Sequence, residues 1–352
     1  MGALMLSLFV AMPAVAATSA DNAEHTAEAE SEINVQEIIF DHLNDSYSWH
    51  IATVNGHHVE VHLPIIAKTE SGWKVFSSKH LAHGHEHEGL RISTSEKYEG
   101  KLVEVAADGS ESRPLDLSLT KNALALLINS SIMIFIFLVC ARWYKRNPKN
   151  AVPGGFVGMM EMVVMYIEDE VIRDNVGPDY KRYSPYLLCA FFFILINNLL
   201  GLVPVFPFGA NTTGNIAVTL VMALCTTIAV NVFGNKEYWK EILWPDVPVW
   251  MKFPIPLMPV IELFGVISKP FALTVRLFAN ILAGHTVILA LTCLVFISVS
   301  MGTTMNIVMT IFSVLLTVFM FVLELMVAYI QAYVFTMLSA VFIGMSRQEE
   351  GH

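Results

Sequence analysis

Two long apolar stretches near the end of this 352-residue chain carry polar and charged residues. These residues are Arg276, Asn280 and His285 in the first stretch, and Glu324 and Gln331 in the second. A charged side chain at the centre of a bilayer costs roughly 2.5–3.5 kcal/mol on insertion scales, so charged residues in spanning segments usually mark an ion or proton pathway. A single Asn or Gln more often makes a hydrogen bond between two helices. Because five such residues occur together, the sequence favours a pathway.

Helical angles divide the polar residues of the first stretch between two faces. At 100° per residue, one stripe of residues lies within about 40° of Arg276. This stripe consists of Glu262, Lys269, Arg276, Asn280 and Ala283. His285 follows Arg276 by nine residues and therefore lies about 180° away from it. The spacing thus predicts different surroundings for Arg276 and His285.

The second stretch carries a lone carboxylate, because Glu324 is the one acidic residue between positions 304 and 345. A buried carboxylate takes up a proton or finds a partner. His285 is the one basic residue late in the first stretch, so we predict a pair between Glu324 and His285. Gln331 follows Glu324 by seven residues and shares its helical face.

The composition of the whole chain is that of a polytopic membrane protein, with 55% hydrophobic and 15% charged residues. The net charge of −10 is concentrated in residues 1–116, which hold 18 of the 31 acidic but 7 of the 21 basic residues. This acidic portion argues against nucleic acid as a partner. The four cysteines lie in apolar runs with neither a disulfide framework nor zinc-type spacing, and no cofactor motif is present.

Two short segments are predicted to precede any folded domain. Residues 1–17 contain an apolar run and a small-residue end, which is typical of a signal peptide. A short uncleaved anchor is the alternative for this segment. Residues 18–34 are small, polar and acidic, so we predict disorder there.

A small β-rich domain is predicted for residues 35–116. Short β-like runs at 49–54, 58–63 and 72–76 are separated by turn signals, Asn55-Gly56 among them. The same region is rich in histidine, with His80, His83, His85 and His87 close together. These could form a weak divalent-metal or pH-sensing site, but a solvated polar loop is favoured, because no preceding scaffold spacing fixes their geometry.

An all-α membrane domain is predicted for residues 120–346, followed by a cytoplasmic tail at 347–352. The predicted membrane-crossing helices are five, at 123–141, 186–203, 215–232, 259–298 and 304–345. Helical spacing of apolar residues with interspersed acids at 156–172 predicts an amphipathic helix on the cytoplasmic surface. Basic residues directly after the first crossing place that end in the cytoplasm, so the β-rich domain is predicted to be periplasmic.

The last two crossings are unusually long. Each spans ~40 residues, or ~60 Å if helical, which is twice the ~30 Å thickness of the hydrocarbon core. Each segment is therefore either two spans or one strongly tilted helix. We favour a long tilted hairpin, because no cluster of turn residues divides either segment.

Three groups of motifs identify the membrane region with a known family. They are Lys269-Pro270 with Leu273-Thr274-Val275-Arg276-Leu277-Phe278-Ala279-Asn280 and Ala283-Gly284-His285; Glu324 with Gln331-Ala332-Tyr333-Val334-Phe335; and Asn197-Asn198-Leu199-Leu200-Gly201-Leu202-Val203-Pro204 with Asn215-Ile216-Ala217. Together they resemble subunit a of F-type ATP synthases over about residues 120–346. The histidine-rich region before residue 117 has no counterpart in this resemblance.

The resemblance implies a non-catalytic proton-translocating stator in a bacterial inner membrane. Arg276 matches the family's essential arginine, which faces a rotating ring of c subunits between two offset half-channels. The implied half-channel residues are Asn280, His285, Glu324, Gln331 and Asn197 or Asn198 on the periplasmic side, with Glu262 and Lys269 nearer the cytoplasmic exit. The implied partners are the c-ring, b-type peripheral stalk subunits and the lipid bilayer. The expected ion is the proton, with sodium as the alternative.

A different class of protein remains open from the residues alone. A free-standing secondary transporter or channel could use Arg276 to bind an anion, but it predicts inverted repeats, and the sequence shows none. An intramembrane enzyme is disfavoured, because no metalloprotease, serine hydrolase or P-loop motif is present.

Overall fold

The computed structural model describes most of the chain after residue 44. The described residues are 45–54, 57–69, 72–93, 95, 98, 100–105, 110–148, 151–203, 209, 212–232, 234–243, 257–299 and 302–347. The predicted signal peptide, the predicted acidic segment, the Asn55-Gly56 turn and most of the C-terminal tail lie outside these residues.

The region after residue 120 is helical. Its helices are α1 (Lys121–Arg146), α2 (Gly155–Tyr166), α3 (Asp174–Val176), α4 (Tyr180–Gly201), α5 (Ile216–Val232), α6 (Lys236–Leu243), α7 (Leu257–Ser298) and α8 (Thr303–Met345). A π-helical turn, Ile167–Arg173, joins α2 to α3. The helix predicted at 156–172 is confirmed as α2 with this turn, whereas its placement on the membrane surface stays a prediction.

The last two helices run without interruption. Helix α7 has 42 residues and α8 has 43, which corresponds to about 60 Å each at 1.5 Å per residue. The structure thus decides between the two alternatives in favour of one long helix per segment. Pro270 lies inside α7, and Thr274 donates a hydrogen bond to its carbonyl oxygen at 2.9 Å.

Among the described residues, four helices are long and apolar enough to cross a bilayer. These are Lys121–Arg146, Tyr180–Gly201, Leu263–Ser298 within α7, and Thr303–Met345. Helix α5 is apolar but shorter, with 17 residues. The multi-pass character is therefore confirmed, while the number of five crossings stays a prediction.

The core of the helical region is formed where α4 packs between its neighbours. Phe191, Leu187 and Ile194 of α4 are fully buried. They cluster with Leu277 of α7 and Phe335 of α8. Burial of a large apolar side chain against protein contributes about 1.5–3 kcal/mol when the alternative is water. In lipid the gain comes chiefly from close packing.

Close packing also fixes the end of α8. An added Cβ at Gly344 would lie 2.0 Å from the carbonyl oxygen of Asn175 in α3. Beyond this contact, the Arg347 guanidinium donates to Asp179 at 2.6 Å and to Asn235 at 3.2 Å. The C-terminal end of α8 is thereby tied to the start of α4 and to the segment after α5.

Short strands precede the helices. They are β1 (Ser48–Val54), β2 (His57–His62), β3 (Pro64–Thr69), β4 (Gly72–Ser77), β5 (Leu90–Ile92), β6 (Leu102–Val105), β7 (Glu111–Ser112) and β8 (Leu115–Asp116). The three predicted runs correspond to β1, β2 and β4. The described strands form an antiparallel β1–β2 pair and two antiparallel sheets with strand orders β4-β3-β8 and β5-β6-β7.

Candidate functional site

The predicted pair between the two long helices is present. His285 Nδ1 of α7 lies 2.7 Å from Glu324 Oε1 of α8, and the Glu324 side chain is 3% exposed. Although the atoms are close, neither carboxylate oxygen accepts a well-aligned hydrogen bond from a described residue. The contact therefore establishes proximity between two proton-exchanging groups, and it leaves lone pairs of the carboxylate for a further proton or donor.

Gly284 creates the space in which the Glu324 carboxylate lies. A Cβ at this position would lie 2.7 Å from Glu324 Oε1 and 2.9 Å from Glu324 Cδ. Real Cβ atoms do not come so close, so a side chain at position 284 would displace the Glu324 carboxylate from its place beside His285. The motif containing Gly284 was visible in the sequence, but its contact with Glu324 was not.

Arg276 lies on a different face of α7. The side chain is exposed, as are those of Asn280 and Ala283, whereas Leu273 and Leu277 beside it are buried against the bundle. Within the described part of the chain, no carboxylate lies within ion-pair distance of Arg276. An arginine stays protonated at any physiological pH, so this face presents a fixed positive charge outward. The predicted separation of Arg276 from His285 is confirmed.

The other predicted residues of the two long helices are distributed along this hairpin. Gln331 is buried, two helical turns beyond Glu324 on α8. Lys269 is partly buried, and its Nζ lies 5.3 Å from the ring centroid of Phe342, a cation–π distance. Glu262 belongs to α7, but its side chain lies outside the described part of the structure.

Asn197 is buried, and its side chain makes three hydrogen bonds to described residues. Its Oδ1 accepts from Asn129 Nδ2 of α1 and from Thr212 Oγ1, both at 3.0 Å. Its Nδ2 donates to the carbonyl oxygen of Phe193 at 2.8 Å. These bonds connect α1, α4 and the segment before α5, so Asn197 acts here as a helix-to-helix connector.

Asn198 makes a second connection, towards the helix of Glu324. Its Nδ2 donates to the carbonyl oxygen of Ala328 at 3.3 Å, and its Oδ1 accepts from Thr213 Oγ1 at 2.7 Å. Ala328 follows Glu324 by four residues, which is one turn of α8. Asn198 thus contacts α8 one helical turn beyond Glu324.

Hydroxyl groups that the sequence did not single out form a further polar chain inside the helices. Tyr186 Oη lies 2.9 Å from Thr226 Oγ1, which lies 3.3 Å from Ser339 Oγ. These residues belong to α4, α5 and α8. Hydroxyl-bearing residues are common in apolar helices, so no sequence signal separated these three from ordinary helix-packing residues.

The histidine-rich segment shows no metal centre in its described part. The rings of His80 and His87 stack with their centroids 4.7 Å apart, and His87 also contacts Phe76. His85 is exposed, and the side chain of His83 lies outside the described residues. No three metal-ligating side chains come together among the residues that are described.

Comparison with known families covers almost the whole helical region. The model of the family described as ATP synthase A chain matches residues 125–344. Among curated proteins, ATP synthase subunit a of Chlorobium phaeobacteroides is 42% identical over 244 residues, covering 67% of each chain. ATP synthase subunit a of Myxococcus xanthus is 40% identical over 239 residues, covering 66% of this chain and 74% of the relative. A second family model, described as a domain of unknown function (DUF8433), matches residues 38–118.

Proposed function

Because this chain belongs to the ATP synthase A chain family, we propose that it is the stator through which protons reach and leave a rotating c-ring. Its place as a non-catalytic, multi-pass subunit of the proton-translocating membrane sector follows from the family itself. The proposal adds the roles of particular residues. The observation that carries it is the placement of Arg276 on an exposed face, while His285 and Glu324 pair on a buried one.

Arg276 provides the fixed charge that a ring carboxylate meets. An opposite charge within about 4–6 Å lowers a carboxylate pKa by roughly 1–3 units. A carboxylate passing the guanidinium would therefore lose its proton and stay ionised. The same positive charge repels free protons, so it separates two half-channels that would otherwise leak into each other.

The His285–Glu324 pair provides the proton relay of one half-channel. A buried carboxylate beside an imidazole can exchange a proton by a short movement of either side chain. Gln331, on the Glu324 face of α8, and Asn280, on the Arg276 face of α7, would provide polar side chains along the route from this pair to the ring. Asn197 and Asn198 border this route, with Asn198 bonded one turn from Glu324.

Glu262 and Lys269 belong to the opposite half-channel in this proposal. Both precede Arg276 on α7, at distances of fourteen and seven residues, which is about 21 and 10 Å along a helix. They therefore lie towards the other end of the membrane from His285.

We further propose that this end is cytoplasmic and that the β-rich region lies in the periplasm. The remaining helix faces would be covered by b-type stalk subunits and lipid.

The driving energy comes from the membrane potential. One charge moving through 100 mV is worth about 2.3 kcal/mol, so several protons are needed for each ATP formed elsewhere in the complex. Since neither half-channel alone would cross the membrane, each proton must be carried from one half-channel to the other on a rotating ring carboxylate.

The choice between sodium and the proton would be determined by the ring carboxylate and not by this chain. Membership of the family also argues against a free-standing transporter or channel.

Disulfide trapping tests whether the Arg276 face meets the ring. Asn280→Cys would be combined with a cysteine placed one turn from the carboxylate of the c subunit, in native membranes. We expect an oxidant-dependent a–c dimer. Phe135→Cys is the control, because Phe135 is also exposed but lies on α1, which packs against α4. Equal yields at both positions, or a dimer only with Phe135→Cys, would contradict the proposal.

A further inference from the structure

One side of the sheet β4-β3-β8 is apolar and exposed. Trp73, Val75, Leu115 and Leu117 are 57–69% exposed. The strand register places them together, because Lys68 of β3 lies opposite both Trp73 and Leu115. We call this side the outer sheet face, and its members are Ile66, Lys68, Trp73, Val75, Leu115 and Leu117.

The other side of the same sheet is packed into a hydrophobic core. Ile65, Ala67 and Thr69, which alternate with the outer residues of β3, are all buried. Ile65 and Ala67 cluster with Leu90 of β5 and Leu102 of β6, which belong to the second sheet. The outer sheet face is therefore not needed to complete this core. A contiguous exposed apolar patch on a folded region usually marks an interaction surface.

The outer sheet face lies close to the place where the chain enters the membrane. Leu117 precedes Lys121, the first residue of α1, by four residues, so the two are at most about 14 Å apart along the chain. Leu117 is held to β3 by a hydrogen bond from its N–H to Ile66 O at 2.9 Å. The sheet consequently cannot move far from the start of α1.

The β-rich region is also fixed against the first turns of α1. The backbone N–H of Asn122 donates to Asp45 Oδ1 at 3.0 Å, and the N–H of Lys121 donates to Ser46 O at 2.9 Å. Trp49 packs against Ala125. Because α1 is a membrane-spanning helix, these contacts hold the region at the bilayer surface on that side.

The residue types of the outer sheet face suit a lipid interface. Trp is enriched where membranes meet water, because its ring is amphipathic. Lys68 can extend its ammonium towards lipid phosphates while its stem stays on apolar surface. The acidic residue on the strands of this sheet, Asp116, points to the opposite side and accepts a hydrogen bond from the buried Tyr47. We propose that the outer sheet face rests on the lipid headgroup region of the leaflet at which α1 begins.

Site-specific photo-crosslinking tests this contact in the assembled complex. A benzophenone amino acid would replace Val75 or Leu117 in native membranes, followed by irradiation, purification and mass spectrometry of the β-rich region. The matched control is the same substitution at Ser112, which is exposed on β7 of the other sheet. We expect lipid adducts at positions 75 and 117, several-fold more abundant than at 112.

Each other outcome overturns the proposal. A peptide adduct at 75 and 117 would assign the outer sheet face to another subunit or to a second copy of the chain. Adduct levels no higher than at 112 would show that the face is in water. The test is read on purified, assembled complex for each substitution.

Discussion

His285 Nδ1 and Glu324 Oε1 lie 2.7 Å apart between α7 and α8, although 39 positions separate the two residues in the chain. If the pair relays protons, replacing either group removes a proton-transfer step. We expect His285→Ala and Glu324→Gln each to lower ATP-driven pumping on the order of 10²-fold, the range in which positioned acid–base groups act. The exchanged double variant His285→Glu with Glu324→His keeps both groups in contact and should recover part of the rate.

The measurement is the initial rate of acidification in inverted membrane vesicles, normalised to assembled complex. A double variant no faster than the single variants would argue that the two positions act separately. A Glu324→Gln variant that pumps normally would remove Glu324 from the route.

Gly284 should be sensitive to a single methyl group. Its Cβ would lie 2.7 Å from Glu324 Oε1, so Gly284→Ala must displace the carboxylate or separate the helices. We expect strongly reduced pumping. Gly265→Ala is the matched control on the same helix, because a Cβ there meets nothing within 4 Å and alanine favours a helix by about 1 kcal/mol over glycine. Similar activity in both variants would show that the Gly284 contact is dispensable.

Gly344 tests the attachment of the α8 end. An added Cβ would lie 2.0 Å from the backbone oxygen of Asn175, and a backbone atom cannot move aside as a flexible side chain can. We expect Gly344→Ala to destabilise the helical region by about 1–3 kcal/mol, the usual cost of overpacking. Thermal unfolding of the purified chain in detergent measures this, with Gly265→Ala again as the control. An unchanged unfolding temperature would contradict the close approach.

Glu111 should make the stability of the second sheet depend on pH. Hydrogen bonds from Arg91, Ser95 and Ser93 lower its pKa from 4.5 to about 2, and Arg91 Nη2 lies 2.6 Å from Glu111 Oε1. Since the folded pKa is below the unfolded one, the stabilisation is complete above pH 4.5 and is lost as the pH falls towards 2.

Amide hydrogen exchange of β5–β6–β7 in the full chain reports this effect. We expect the protection factors of these amides, which correct for the intrinsic slowing of exchange in acid, to fall with acidification in the native chain, and Glu111→Gln to remove much of that pH dependence. Glu86→Gln, at an exposed carboxylate of the same region, should leave it unchanged. An identical pH profile for Glu111→Gln and the native chain would refute the assignment.

Helical periodicity was sufficient to predict the two faces of α7. A spacing of nine residues from Arg276 to His285 places them on opposite sides of any regular helix, and the long helix is regular across both. The pairing of His285 with Glu324 was predictable because Glu324 is the one acidic residue of the second stretch and His285 is the one basic residue late in the first. Strands β1, β2 and β4 were likewise visible, since they carry aromatic and β-branched residues next to turn signals.

Other features depend on tertiary contacts that periodicity does not encode. Strands β7 and β8 have two residues each, which is too short for an alternating pattern. The bonds of Asn197 and Asn198 join positions 15 to 130 residues distant, so the sequence indicated polar residues without their partners. The closeness of Gly284 to Glu324 depends on the packing of two helices, and glycine alone did not reveal it.

The proposed role of Arg276 is tested most directly by removing its charge. Arg276→Ala would be compared with Val275→Ala, which alters the neighbouring exposed side chain without changing charge. ATP-driven proton pumping and ATP synthesis would be measured in native membranes in which both variants assemble to the normal level. We predict that Arg276→Ala abolishes both activities and that Val275→Ala retains them. Arg276→Ala membranes should also conduct protons passively, because the two half-channels would no longer be separated. Coupled pumping at the normal rate in assembled Arg276→Ala complexes would contradict the proposed mechanism.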